Sequence, residues 1–82
     1  MKITSTTKQK CNKYTATFDD GIILTLEDND DNWKVISQCS IGSNSYYCKY
    51  GKYPSGNNLK IRVDMATRTI RAREERYKNE KD

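Results

Sequence analysis

On either side of the triplet Asp19-Asp20-Gly21, between residues 14 and 26, apolar side chains fall on alternate positions. A two-residue Asp20-Gly21 loop would set Phe18 against Ile23 and place Leu24 and Leu26 opposite Thr17 and Thr15, mixing polar and apolar groups on both faces. A three-residue loop removes the conflict. With a type I turn closed by a left-handed Gly21, Phe18 pairs with Ile22, Ala16 with Leu24 and Tyr14 with Leu26, all on one face. The segment predicts a β-hairpin whose apolar face needs a covering layer.

The same alternation extends along the chain. Residues 2–7 are extended in character with only Ile3 to bury, which suits an edge strand, and the hairpin strands are residues 11–18 and 22–27. The run Asp28-Asn29-Asp30-Asp31-Asn32 is rich in turn formers and ends the hairpin. Trp33, Val35, Ser37 and Cys39 then alternate with Lys34, Ile36 and Gln38, predicting a strand with Trp33 as its core anchor. Ile41-Gly42-Ser43-Asn44 turns the chain into a tyrosine-rich strand over residues 45–53. If Ser43-Asn44 is a two-residue loop, Cys39 faces Cys48 and the pair forms a cross-strand disulfide under oxidising conditions; a register shifted by two puts Tyr46 there instead.

Pro54-Ser55-Gly56-Asn57 reads as the next turn. Leu59, Ile61 and Val63 alternate with Lys60 and Arg62, and a four-residue loop, Asp64-Met65-Ala66-Thr67, leads into a partner strand from Arg68. Pairing Val63 with Arg68 sets Ile61 opposite Ile70 and Leu59 opposite Ala72, with Lys60, Arg62, Arg71 and Arg73 on the other face. The pattern predicts an all-β fold, a small antiparallel meander of about six strands forming a curved sheet or small barrel. It places one β domain over residues 1–73. Residues 74–82 are a charged C-terminal tail or short helix, with Glu74 and Lys78 as an i,i+4 pair.

Composition narrows the function. A chain of 82 residues with 34% apolar content is too small and too polar for a deep enclosed active site. The net charge of +4 is segregated: residues 1–18 carry four lysines and no acid, residues 19–31 six acids and no base, and residues after Trp33 eleven bases against five acids. A field separated in this way attracts anionic partners to its basic side. The chain has three cysteines, Cys11, Cys39 and Cys48, without close spacing, and no histidine to complete a zinc set. The first residues have no apolar run of signal-peptide length and no later run is long enough to span a bilayer, so the expected setting is cytoplasmic, with reduced thiols.

Several chemistries lack their residues. Ser-His and Cys-His nucleophilic mechanisms need an imidazole, and the chain has none. The carboxylate pairs Asp19-Asp20 and Asp30-Asp31 sit in turn-forming runs, where carboxylates cap backbone amides and stay hydrated. Residues 28–32 begin like a calcium loop, with oxygen side chains at its first, third and fifth places. The pattern then fails, because Trp33 stands where glycine is needed and Cys39 where a bidentate glutamate is needed. There is no glycine-rich phosphate loop, and no cofactor is implied.

What remains is aromatic and basic interleaving. Tyr46, Tyr47, Tyr50 and Tyr53 share a segment with Lys49 and Lys52, and the following segment adds Lys60, Arg62, Arg68, Arg71 and Arg73. Such a set stacks rings on bases and meets phosphates with its cations, or serves as a hot-spot surface for an acidic protein. The sequence thus predicts a non-enzymatic binding module for nucleic acid or a nucleoprotein complex. The alternative is a protein inhibitor or adaptor, of the type encoded by phages and mobile elements, that docks on an acidic groove of a host protein. Association of two copies through strand edges is compatible with either reading.

Overall fold

The hairpin predicted around Asp19-Asp20-Gly21 forms in the expected register. Tyr14 pairs with Leu26, Ala16 with Leu24 and Thr17 with Ile23. Gly21 has φ +85°, and its N–H donates to the Phe18 carbonyl at 3.0 Å, closing the three-residue loop. A computed structural model describes residues 1–10, 12–29 and 32–80, with side chains through Glu74. Its elements in order are β1 (Ile3–Lys10), β2 (Lys13–Phe18), β3 (Ile22–Asn29), β4 (Asn32–Ser40), α1 (Tyr46–Tyr50) and α2 (Gly56–Glu80). The strands make one antiparallel sheet in the order β1-β2-β3-β4.

An antiparallel meander is therefore present, but with four strands among the described residues in place of about six. The covering layer that the hairpin requires is supplied by a helix. One face of β2 and β3 contributes Tyr14, Ala16, Phe18, Ile22, Leu24 and Leu26, and α2 lays Ala66 and Ile70 over them. Leu59 and Val63 extend this helical stripe, with Ile3, Trp33 and Val35 packed at its margins. The opposite face of the sheet is hydroxyl-rich: the cross-strand partners Thr7 and Thr15 share a hydrogen bond at 2.7 Å, and Thr25 is paired beside Thr15.

The hairpin expected over residues 59–72 does not form. Its apolar residues satisfy two periods: Leu59, Ile61 and Val63 alternate, yet Leu59, Val63, Ala66 and Ile70 also return at helical intervals. The helical reading prevails because residues 57–80 contain no glycine or proline and are rich in arginine, lysine, alanine, methionine and glutamate. The proposed Asp64-Met65-Ala66-Thr67 loop has one turn former, Asp64, and no glycine, proline or asparagine to interrupt the helix. Ile61 is consequently left 52% exposed, whereas Ala66 is fully buried. The helix also runs without interruption through residues 73 and 74.

The tyrosine strand is likewise replaced, by the five-residue helix α1. Ser45 caps its start, accepting at Oγ from the Cys48 N–H at 3.2 Å, and Gly51 ends it at φ +73° with its N–H on the Tyr47 carbonyl. Cys39 lies in β4 and Cys48 in α1, both as free thiols, so the strand register that would have set them opposite is absent. In β4 the alternation also breaks. Thr25 pairs with Ser37 but Leu26 with Val35, so Ile36 is an extra residue in a bulge. After it Gln38 and Ser40 turn towards the helix layer, and Ser37 and Cys39 become exposed. Gln38 spends its side-chain amide on the Pro54 carbonyl at 3.1 Å, tying β4 to the segment before α2.

Two substitutions separate this helix from the hairpin alternative, in which Leu59, Ile61 and Val63 would all share a buried face. Ile61→Lys will shift stability by no more than about 0.5 kcal/mol, and Ala66→Lys will lower it by at least about 2 kcal/mol, read from denaturant midpoints. Gly21→Ala will also destabilise, by more than about 1 kcal/mol, because a Cβ there meets the Ile41 carbonyl oxygen at 2.4 Å on a backbone of positive φ.

Candidate functional site

Arginine needs a partner to be buried, and the carboxylate nearest the central turn provides one. Arg62 was expected on a solvent face among the binding residues; it is 3% exposed. Its Nη1 donates to Asp20 Oδ1 at 3.2 Å and its Nη2 to Oδ2, a bidentate pair. The guanidinium also lies between two rings, 4.9 Å from the Phe18 centroid and 5.2 Å from that of Tyr46. Hydrogen bonding from Arg62 holds the Asp20 carboxyl below its usual range, against the opposing effect of burial. The same turn anchors α1: the Asp20 carbonyl accepts the Tyr46 N–H at 3.0 Å, and the Gly21 carbonyl that of Ile41 at 2.8 Å.

This anchorage gathers the tyrosines into two ring pairs. Tyr46 meets Tyr50 at 4.5 Å between centroids, and Tyr47 stacks on Tyr53 at 4.4 Å with an interplanar angle of 28°. Tyr46 and Tyr53 are half-buried against the core; Tyr47 and Tyr50 are 40% and 56% exposed. Lys49 and Lys52 are exposed beside them, with Lys49 Nζ 5.5 Å from the Tyr50 ring centroid.

The remaining bases divide along α2. At the helical repeat, Lys60, Arg68 and Arg71 fall within about 80° of arc on the outward side. All three are exposed; Arg68 Nε lies 3.3 Å from Asp64, and the Arg71 guanidinium lies 5.8 Å from the Trp33 ring. Arg73 points the other way and donates to Thr6 Oγ1 on β1 at 2.5 Å. The predicted set therefore separates into the tyrosines with Lys49 and Lys52 around α1, the exposed bases Lys60, Arg68 and Arg71 along the outward side of α2, and two residues held elsewhere, Arg62 and Arg73.

Between the start of β4 and the first half of α2 lies a groove of about 660 Å³, with Trp33, Ile61, Val63 and Met65 as its apolar wall and Lys60 on its rim. The Trp33 Nε1 is buried there with no hydrogen-bond partner among the described residues. The calcium-like run connects β3 to β4, with Asn29 paired to Asn32; Asp30 and Asp31 fall outside the described residues, as does Cys11.

A second cluster escaped sequence reasoning. Lys8 pairs with Tyr14 across β1 and β2, and the Tyr14 hydroxyl donates to Glu74 Oε1 from α2. The Glu74 carboxylate also lies 3.7 Å from Lys8 Nζ. Lys78, its expected helical partner, has no described side chain. Burial foremost, then the hydrogen bond to Glu74, pushes the Tyr14 phenol from 10.0 up to about 12. The clue in the sequence was a tyrosine on the core face of β2, but its partner became visible only with α2 in place.

Among the described residues, no three cysteine or acidic side chains gather as metal ligands, and no helix is long and apolar enough to cross a membrane. Compared with known proteins, the chain matches no family model, no curated protein and no solved structure.

Two titrations follow from these contacts. Because the Asp20 carboxyl is depressed in the folded state, its stabilising contribution is present above its ordinary value of 3.8 and lost as pH falls through the lowered one. Asp20→Ala will cost about 3 kcal/mol near neutral pH, leaving Arg62 buried without its partner, and Asp20→Asn will flatten the acid limb of the stability curve. Tyr14 behaves in the opposite sense. Its contribution is full below pH 10.0 and lost as pH rises through about 12. Ultraviolet titration of Glu74→Gln will show a lower Tyr14 value that stays above 10.0, since burial is the larger cause.

Proposed function

We propose that the protein is a non-enzymatic binding module that presents the tyrosines of α1 and the outward side of α2 to nucleic acid, alone or in a nucleoprotein complex. The observation that carries this reading is the disposition of charge within the helical layer. Asp20 is engaged by Arg62, Asp64 by Arg68 and Glu74 by Lys8, while Lys49, Lys52, Lys60 and Arg71 are exposed with no carboxylate in ion-pair reach among the described residues. Exposed Tyr50 beside Lys49 supplies a ring for stacking next to a cation for phosphate. Residence in the cytoplasm, with reduced thiols, accompanies this reading.

The exposed Ile61 in the groove favours a second reading, an inhibitor or adaptor of the phage or mobile-element type that docks on an acidic groove of a host protein. Salt separates the two. A single strand contacting Lys49, Lys52, Lys60 and Arg71 will bind with a log–log salt slope of about −3, and Lys60→Gln or Arg71→Gln will each reduce that slope by about 0.7. Tyr50→Ala will weaken binding by about 1–3 kcal/mol through lost stacking. Fluorescence anisotropy with labelled single-stranded DNA, RNA and duplex DNA from low to physiological salt measures both effects. Absence of binding at every salt concentration overturns the nucleic-acid reading.

A further inference from the structure

The side of β1 that faces the helix carries polar residues where β2 and β3 carry core. Thr6 pairs with Ala16 and Lys8 with Tyr14, so a hydroxyl and an ammonium stand at the margin of the apolar layer. The register then shifts between Lys8 and Lys10, which leaves Lys8 on the helix side. Opposite them α2 brings Ile70, Arg73 and Glu74, and the space between is a cleft of about 460 Å³. That volume lies in the range of about 300–1,000 Å³ usual for small-molecule sites.

Its floor is apolar and its rim is ionic. Ile70 is 2% exposed and Tyr14 6% exposed, and together they provide an aromatic and aliphatic base. Two cations flank it, Lys8 and Arg73, the latter steadied by its bond to Thr6. The anion present is Glu74, which receives the Tyr14 hydroxyl and approaches Lys8. One carboxylate thus sits among an O–H donor, an ammonium and a neighbouring guanidinium, so the described lining residues carry one positive charge in excess. Its side chain is 43% exposed and free to rotate into solvent, which leaves the buried Tyr14 hydroxyl in need of another acceptor.

We propose that this cleft binds a phosphate monoester, and that Glu74 holds in the unliganded protein the place that the phosphate takes. A dianionic phosphate balances Lys8 and Arg73 together, accepts the Tyr14 hydroxyl and offers Arg73 the two oxygens that a guanidinium engages bidentately. The organic body of the ester lies on Ile70 and the Tyr14 ring. The site is on another side of α2 from the outward bases, since Arg73 stands about 160° around the helix from Arg71 and about 20 Å along its axis from Lys60. Its occupation therefore does not depend on the proposed function.

The single tryptophan reports on the cleft, because the Trp33 ring lies 5.4 Å from that of Tyr14. The full chain is titrated with inorganic phosphate, a nucleoside, the corresponding nucleoside 5′-monophosphate, and a short single strand with or without a 5′-phosphate, following Trp33 fluorescence. A saturable response is expected to the monophosphate and none to the nucleoside. Glu74→Gln, which keeps an acceptor for Tyr14 but removes the competing charge, will tighten binding about fivefold, and Lys8→Gln or Arg73→Gln will weaken it about fivefold or more. Both of the latter residues are exposed, so an unchanged melting temperature ties their loss to the site. Preference for the 5′-phosphorylated strand over both the unphosphorylated strand and the free monophosphate marks a nucleic-acid terminus as the source, and preference for the free monophosphate marks a free metabolite. Absence of a saturable response to phosphate and monophosphate, or equal responses in all variants, overturns the proposal.

Discussion

The contact between Arg62 and Asp20 joins every layer of this protein. It pins the start of α2 to the loop of the central hairpin, and through the Tyr46 ring and backbone it fixes α1 to the same point. A charged pair in so small a core is retained only if both ions are well satisfied, because their desolvation opposes their attraction. Here two parallel hydrogen bonds and two aromatic faces meet the guanidinium, and the turn geometry presents the carboxylate. The pair also sets direction. It allows one placement of the helix on the sheet, where apolar contacts alone would permit it to slide.

This fixed placement explains why the basic residues diverge in role although they lie close in sequence. Arg62 is inward and structural, Arg71 covers the indole of Trp33, and Arg73 reaches the first strand. Lys49 and Lys52 stay exposed beside the tyrosine pairs, and Lys60 is exposed on α2 at the rim of the Trp33 groove. The charge segregation in the sequence therefore becomes spatial only after the acids of the central turn and of α2 have been drawn into contacts. Nearness of the tyrosines to basic residues was legible from the chain; which bases stayed exposed depended on partners many residues away.

The central hairpin was readable because its wrong register carries a visible penalty, polar threonines set against leucines. No comparable conflict warned against a second hairpin, since Leu59, Ile61 and Val63 alternate as a strand would. The decisive signs were quieter: the absence of glycine, proline and asparagine at residues 64–67 and the return of apolar positions at Ala66 and Ile70. For α1, strand preference of tyrosine masked a short capped helix, although Ser45 and Gly51 are suited to its two ends. The bulge at Ile36 left no trace in the alternation until its partner strand was placed.

The order of elements along the chain has a consequence for how the fold is acquired. The sheet is built from neighbouring strands joined by short connections, so its pairings close small loops, whereas the contacts that seat α2 span 42 residues at Asp20 and 60 at Tyr14. During synthesis the four strands emerge before the helix that shields them. For that interval Phe18, Ile22, Leu24 and Leu26 form an uncovered greasy plane, so the nascent chain is most vulnerable to sticking just before α2 leaves the ribosome.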